Sequence, residues 1–345
     1  MTAIGRLLAH ENTASDLLAY LIELDALPLA QILGLPADEY TAQREVRIGG
    51  RGGRPDLLIR RSGGTEPLAV LELKGAADEH NGQLERYATW AASEAAAAQL
   101  RYCTLDGDAA APPKPWQPLS LVQLFGAWHQ SRHSHARWLS VEITDVLQGW
   151  DTEADRTIGK VRGWYVPDLI TRRIAAALGD DAQATRTKAG NPMVLAYRRH
   201  LGAPDDAWIG VDLRCAGRDA PQRDWLFRPF VEVSFSNPTP VAQAAARRLA
   251  THLRPAMMFD AIQQVIKDPD ALRTNRHGGL LSHPSTGPVF YHDKQVRLAT
   301  QFSLVVDRVN RHDVADMIST TIHHLDRYLA ATTTDASADQ PGRVS

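Results

Sequence analysis

The chain has 345 residues, 44% of them apolar and 23% charged, which is a globular composition long enough for about two domains. No run approaches the roughly 18 uninterrupted apolar residues of a membrane-spanning helix, since the most apolar part of the N-terminal region, 17–35, is broken by Glu23 and Asp25. The net charge of −2 divides into −5 over 1–150 (13 basic against 18 acidic) and +3 over 151–345 (25 against 22), so the even basic footprint of a nonspecific DNA binder is excluded and local patches must supply any nucleic-acid contact.

The opening MTAIGRLLAHEN reaches His10 and Glu11 before an export signal could develop. Only Cys103 and Cys215 are present, which excludes a disulfide framework and a multi-cysteine zinc module and predicts a reducing, cytoplasmic setting. Leu17, Leu18, Leu21 and Ile22 recur at helical spacing, predicting a helix over about 13–25 with Glu11 near its start. Two β-branched or alternating runs follow, 44–48 and 55–61, joined by Gly49-Gly50-Arg51-Gly52-Gly53, a hairpin turn. After Ser62-Gly63-Gly64 the run Pro67 to Lys74 is apolar through Leu68, Ala69, Val70 and Leu71, as expected of a central strand buried on both faces.

An alanine-rich helix over about 80–97 and a strand over 100–105 complete a strand, helix, strand crossover, and the proline-rich 109–118 reads as linker before a helix at 120–129. Beyond Asp151 the patterns predict a helix at 166–178, strands at 192–198, 207–215 and 228–236, helices at 239–253 and 258–267, a loop at 273–297, a strand at 298–307 and a helix at 311–330. The expectation is an α/β domain over 1–150, an α+β recognition, partner or sensor domain over 151–330, and a disordered tail over 331–345.

Chemistry concentrates at Pro55-Asp56, at the start of one strand, and Glu72-Leu73-Lys74, at the end of the next. Period-two geometry sends Glu72 and Lys74 to one face, and an antiparallel neighbour brings Asp56 beside them. Among Leu57, Leu58, Ile59, Val70 and Leu71 three charges are costly unless compensated, and a divalent cation held by hard oxygens is one solution. Mg²⁺ is the expected cofactor, with Mn²⁺ able to substitute.

This segment resembles the PD-(D/E)XK nuclease superfamily: Pro55-Asp56, a 15-residue gap, then Glu72-Leu73-Lys74. It is similar in particular to small bacterial proteins of that superfamily, with Glu11 on the opening helix and Gln83-Leu84-Glu85-Arg86-Tyr87 beginning nine residues after Lys74. The resemblance covers about 5–130. It implies a restriction-endonuclease-like mixed β-sheet core flanked by helices, with Asp56, Glu72 and Lys74 catalytic. It further implies metal ligation by Glu11, Asp56, Glu72 and the Leu73 carbonyl, and contact of Gln83 and Tyr87 with the nucleic-acid backbone or with Lys74. The implied activity is Mg²⁺-dependent phosphodiester hydrolysis, with DNA ahead of RNA and an endonuclease ahead of other forms, in a phage-defence or mobile-element setting. A homodimer or a protein partner engaged through the C-terminal domain is the expected assembly, with no membrane. The alternative, a non-catalytic nucleic-acid-binding or assembly module on a nuclease-like fold, is favoured by the acidic N-terminal half.

His129, His133 and His135 have partly helical spacing in a polar segment and read as solvated or weakly phosphate-binding rather than as a zinc site. The loop 273–297 carries Arg273, Arg276, Lys294 and Arg297 with Phe290 and Tyr291 between, a pattern that suits nucleic acid or a nucleotide ligand. Trp164, Trp208 and Trp225 are of a type that fills a core more often than it stacks on bases, and they carry no assignment.

Overall fold

The computed structural model describes residues 2–8, 11–49, 53–74, 82–105, 112–156, 158, 165–200, 206–216, 224–234, 239–274 and 295–338. Within them the protein is a mixed α/β chain built on two multi-stranded sheets. It divides into two compact units, Met1–Ala154 with Arg162–Leu169, and Asp155–Val161 with Ile170–Ser345. Among the described residues no helix is long and apolar enough to cross a membrane.

The first unit opens with helices α1 (Ala3–Leu8), α2 (Glu11–Leu24) and α3 (Leu27–Leu33). Strands β1 (Tyr40–Arg44), β2 (Leu57–Arg61) and β3 (Pro67–Lys74) follow, then helix α4 (Gln83–Glu94) and strands β4 (Gln99–Thr104) and β5 (Gln117–Ser120). Helices α5 (Leu121–Gly126) and α6 (Ser134–Arg156) close it. The strands lie in the order β1-β2-β3-β4-β5. The first three are antiparallel and the last three parallel, as a strand, helix, strand crossover through α4 demands. Central β3 is buried along nearly its whole length. On one sheet face Leu58, Val70, Leu100 and Tyr102 pack against Leu84, Tyr87 and Ala91 of α4, with Trp116 and Ile48 at the margins.

The second unit contains α7 (Tyr165–Leu178) from Ile170 onward, then β6 (Ala182–Arg186), β7 (Pro192–His200), β8 (Asp206–Ala216) and β9 (Asp224–Ser234). Helices α8 (Pro240–Leu253) and α9 (Phe259–Gln263) lead to strands β10 (Leu272–Thr274), β11 (Gln295–Ala299) and β12 (Phe302–Leu304), and helix α10 (Arg311–Ala338) ends it. The antiparallel sheet runs β10-β12-β9-β8-β7-β6, with β11 also paired to β9. Alternation decides its faces. Ala207, Ile209, Val231, Val233, Val296 and Leu298 point one way and pack on Ala246 and Ala250 of α8 and Leu325 and Leu329 of α10.

Several expectations change. The first strand lies four residues upstream of the predicted 44–48, because Glu45 takes a left-handed φ of 46° that ends β1. Part of the proline-rich linker is strand β5, tolerated because a sheet edge leaves the missing Pro118 N–H without consequence. No element is expected over 130–150, yet α6 runs for 23 residues from Ser134 to Arg156. Strand β6 was also missed. The predicted strand 298–307 is two short ones broken at Thr300, whose N–H donates to the Pro229 carbonyl at 3.0 Å. The last helix continues to Ala338, into the expected tail, since elongating a formed helix needs no apolar face.

Candidate active site

Strand register brings the carboxylates together. Leu57 pairs with Leu71, so one step beyond the ladder Asp56 stands opposite Glu72. Two hydrogen bonds brace this end: the Leu73 N–H donates to Asp56 Oδ2 at 2.7 Å, and the Asp56 N–H donates to Glu72 Oε2 at 3.4 Å. Lys74 falls on the same face as Glu72 and holds its ammonium 3.0 Å from Glu72 Oε1. Glu72 is fully buried, Lys74 is 8% exposed, and Asp56 is half-buried at the rim.

Helix α4 supplies the rest. Gly82 precedes it in the left-handed region at φ 65°, which directs Gln83, the first helical residue, toward the strand end. Gln83 Nε2 donates to Glu72 Oε1 and to the Tyr87 hydroxyl, both at 2.8 Å. Tyr87 is 2% exposed, and its hydroxyl is engaged by Gln83. The Arg54 main-chain N–H donates to its hydroxyl. Its ring lies against Gly53, where an added Cβ would come within 2.8 Å of Cε1, at a φ of 101°. Tyr87 thus holds the segment that leads into Asp56. Burial pushes its phenol above the ordinary tyrosine range, the Gln83 bond opposes this, and nearby Glu72 and Asp56 add to the rise. Beneath α4, Trp116 Nε1 donates to the Leu84 carbonyl at 2.9 Å. A cleft of about 620 Å³ lies beside α4, lined by Gly82, Glu85, Thr89, Lys114 and Trp116 among others, and does not include Asp56 or Glu72.

The start of α2 belongs to the same end of the sheet. Arg44, the last residue of β1, pairs with Asp16 and donates to the Asn12 carbonyl at 3.0 Å. The next residue, Glu45, donates its N–H to the Asp56 carbonyl at 3.4 Å. The backbone at Glu11, one residue before Asn12, is thereby tethered to the strand end that leads to Asp56; the Glu11 side chain lies outside the described residues.

The donor set fits a hard divalent cation: two carboxylates and a main-chain carbonyl at one strand end, all oxygen, with one carboxylate reaching the rim. Among the described residues no three His, Cys, Asp or Glu side chains group as metal ligands, and Glu11 is the third acid the resemblance supplies. Compensation of the buried charge is partly internal, because Lys74, Gln83 and the Asp56 N–H already surround Glu72. The structure brings together Asp56, Glu72, Lys74, Gln83 and Tyr87 of the residues singled out in the sequence. The contacts of Arg44 and Gly53 depend on tertiary neighbours that no local spacing encodes.

The other expected residues are dispersed. His129 Nε2 meets Thr144 Oγ1 at 2.8 Å, His133 Nδ1 accepts from the Ala136 N–H at 3.4 Å, and His135 lies against Tyr20 and Trp138. Arg273 is exposed on β10. Arg297 sits in β11 rather than a loop, engaged with Asp212 and Glu232, and Arg276 and Lys294 lie outside the described residues. Cys103 is buried on β4, and burial raises its thiol far above the ordinary cysteine range. Comparison with protein-family models, with curated proteins and with solved structures gives no match for this chain.

Proposed function

We propose that the first unit is a divalent-metal-dependent phosphodiesterase acting on nucleic acid, with DNA ahead of RNA, on a restriction-endonuclease-like core. The observation that carries this is the convergence of Asp56, Glu72 and Lys74 at the end of β3, cross-braced by the Leu73 and Asp56 N–H groups. The antiparallel-to-parallel sheet with α4 crossing between β3 and β4 supports the same reading.

Asp56, Glu72 and the Leu73 carbonyl would hold the cation, with Glu11 as a further ligand. When bound, Mg²⁺ or Mn²⁺ neutralises phosphate charge and lowers the pKa of a water toward neutrality. The chain's own residues prepare that site. Gln83 fixes the Glu72 carboxylate, Tyr87 fixes the approach to Asp56, and Lys74 places a cation where negative charge develops on a phosphate.

A second reading, a non-catalytic binding or assembly module, is favoured by one observation: both oxygens of Glu72 already accept from donors of the chain. Calorimetric titration with Mn²⁺ separates the two. Under the phosphodiesterase reading the wild type gives a saturable heat that Glu72→Gln weakens at least roughly tenfold. A heat unchanged by that substitution, or no heat at all, favours the module.

A further inference from the structure

The sheet of the second unit has two unlike faces. Opposite the apolar face that meets α8 and α10, the register lines up four cross-strand rows. Arg199, Trp208, Glu232 and Arg297 form one; Tyr197, Gly210, Phe230 and Ala299 the next. Leu195, Asp212 and Arg228 form the third, and Met193, Arg214 and Leu226 the fourth. A face turned only to water would carry small polar residues; this one carries arginine and aromatic rings.

The rings and guanidinium groups are arranged for stacking. Tyr197 meets Trp208 edge-on with centroids 5.0 Å apart, and the exposed Arg199 stands 6.0 Å over the indole. Arg297 lies 4.2 Å over Phe230. Gly210 makes this closeness possible, since an added Cβ would strike the Ala196 carbonyl oxygen at 2.3 Å and Phe230 Cζ at 2.8 Å. Tyr197 and Trp208 remain half-buried, within reach of a ligand.

Charge has one sign in excess. Asp212, fully buried, accepts from Arg214 at 2.6 and 2.9 Å and from Arg297 at 2.5 Å, with Arg228 3.7 Å away, and Arg297 also reaches Glu232 at 3.3 Å. Within these four rows four arginines (199, 214, 228, 297) stand against two acids (212, 232). Asp212 keeps the guanidinium groups of Arg214 and Arg297 fixed, and Arg199 is exposed beside the half-buried indole and phenol.

We propose that this face binds single-stranded nucleic acid, bases stacking at Trp208 and Tyr197 and phosphates running past Arg199, Arg214 and Arg297. Aromatic rings interleaved with fixed cations on a sheet are what unpaired bases and a phosphate backbone require together. A duplex hides its base faces and gives the rings no partner. The inference goes beyond the phosphodiesterase reading, because it concerns the second unit and holds whether or not the first unit cuts.

The test is fluorescence anisotropy of a labelled oligothymidylate with the full chain in EDTA, where metal-dependent cleavage cannot interfere. Wild type is expected to bind, with Trp208→Ala weakening binding roughly tenfold and Trp208→Phe, which keeps a ring, restoring most of it. Arg199→Ala, an exposed change, is expected to lower the salt slope by about 0.7. Absence of wild-type binding to oligothymidylate or oligouridylate at low salt overturns the inference. So does Arg199→Ala and Trp208→Ala protein that binds as wild type, or a duplex that binds more tightly than the single strand.

Discussion

Glu72 is a carboxylate with no exposed surface, and it is tolerated because Lys74, Gln83 and the Asp56 N–H surround it. Taking away one partner of such a pair leaves a buried charge without compensation. Lys74→Met is therefore expected to cost about 3–5 kcal/mol in urea unfolding, and adding Glu72→Gln to that variant is expected to recover most of the loss. Gly53→Ala is predicted to cost about 1–3 kcal/mol, because the new Cβ meets the Tyr87 ring at a φ of 101°. Cys103 and Cys215 are both buried, so a thiol reagent should label neither in the folded chain and both in denaturant; rapid native labelling of Cys103 would contradict its placement. The convergence of Asp56, Glu72 and Lys74 was legible at this scale because two short strands with known periodicity fix which side chains meet. Arg44 was not: its partners Asp16 and Asn12 lie 28 and 32 positions away, and an arginine at a strand end carries no mark of what it will touch.

Among elements, legibility followed burial. Strand β3 and the long strands of the second sheet announce themselves through apolar runs or clean alternation, whereas β5 and β6 are edge strands whose residues satisfy no such pattern. Helix α6 was hidden by a polar start and by Trp138 and Val141, apolar side chains left exposed on its surface. Gly210 in β8 was not conspicuous in the sequence, yet its neighbours leave no room, and Gly210→Ala is predicted to lower the unfolding midpoint in urea by forcing β7 and β8 apart. On α10, His324 Nε2 meets the Ala256 carbonyl at 3.2 Å, and burial holds its pKa below the ordinary histidine value. The neutral ring is the one that fits, so this contribution to stability is present above a pH of about 6.5 and is lost as pH falls through that value toward the depressed folded pKa. His324→Gln should flatten the pH dependence of unfolding in that window; an unchanged slope would show that the ring is not constrained in this way.

At the scale of the molecule, the expected division at residue 150 is replaced by one at Ala154, with 162–169 returned to the first unit and 155–161 given to the second. No proline or glycine cluster marks that crossing, because α6 carries the chain through it as helix to Arg156. Asp56→Asn is the variant that examines the chemistry with least damage to the fold, since Asp56 lies at the rim and the amide oxygen can still accept from the Leu73 N–H. The decisive measurement is conversion of supercoiled plasmid by wild type and Asp56→Asn in Mg²⁺ and in EDTA, with thermal melting of both proteins as a check on folding. Cleavage by the wild type only with metal, slowed about 100-fold or more in a variant that melts normally, is the predicted result; cleavage by Asp56→Asn at the wild-type rate, or none by a folded wild type on plasmid, single-stranded DNA or RNA, would contradict it.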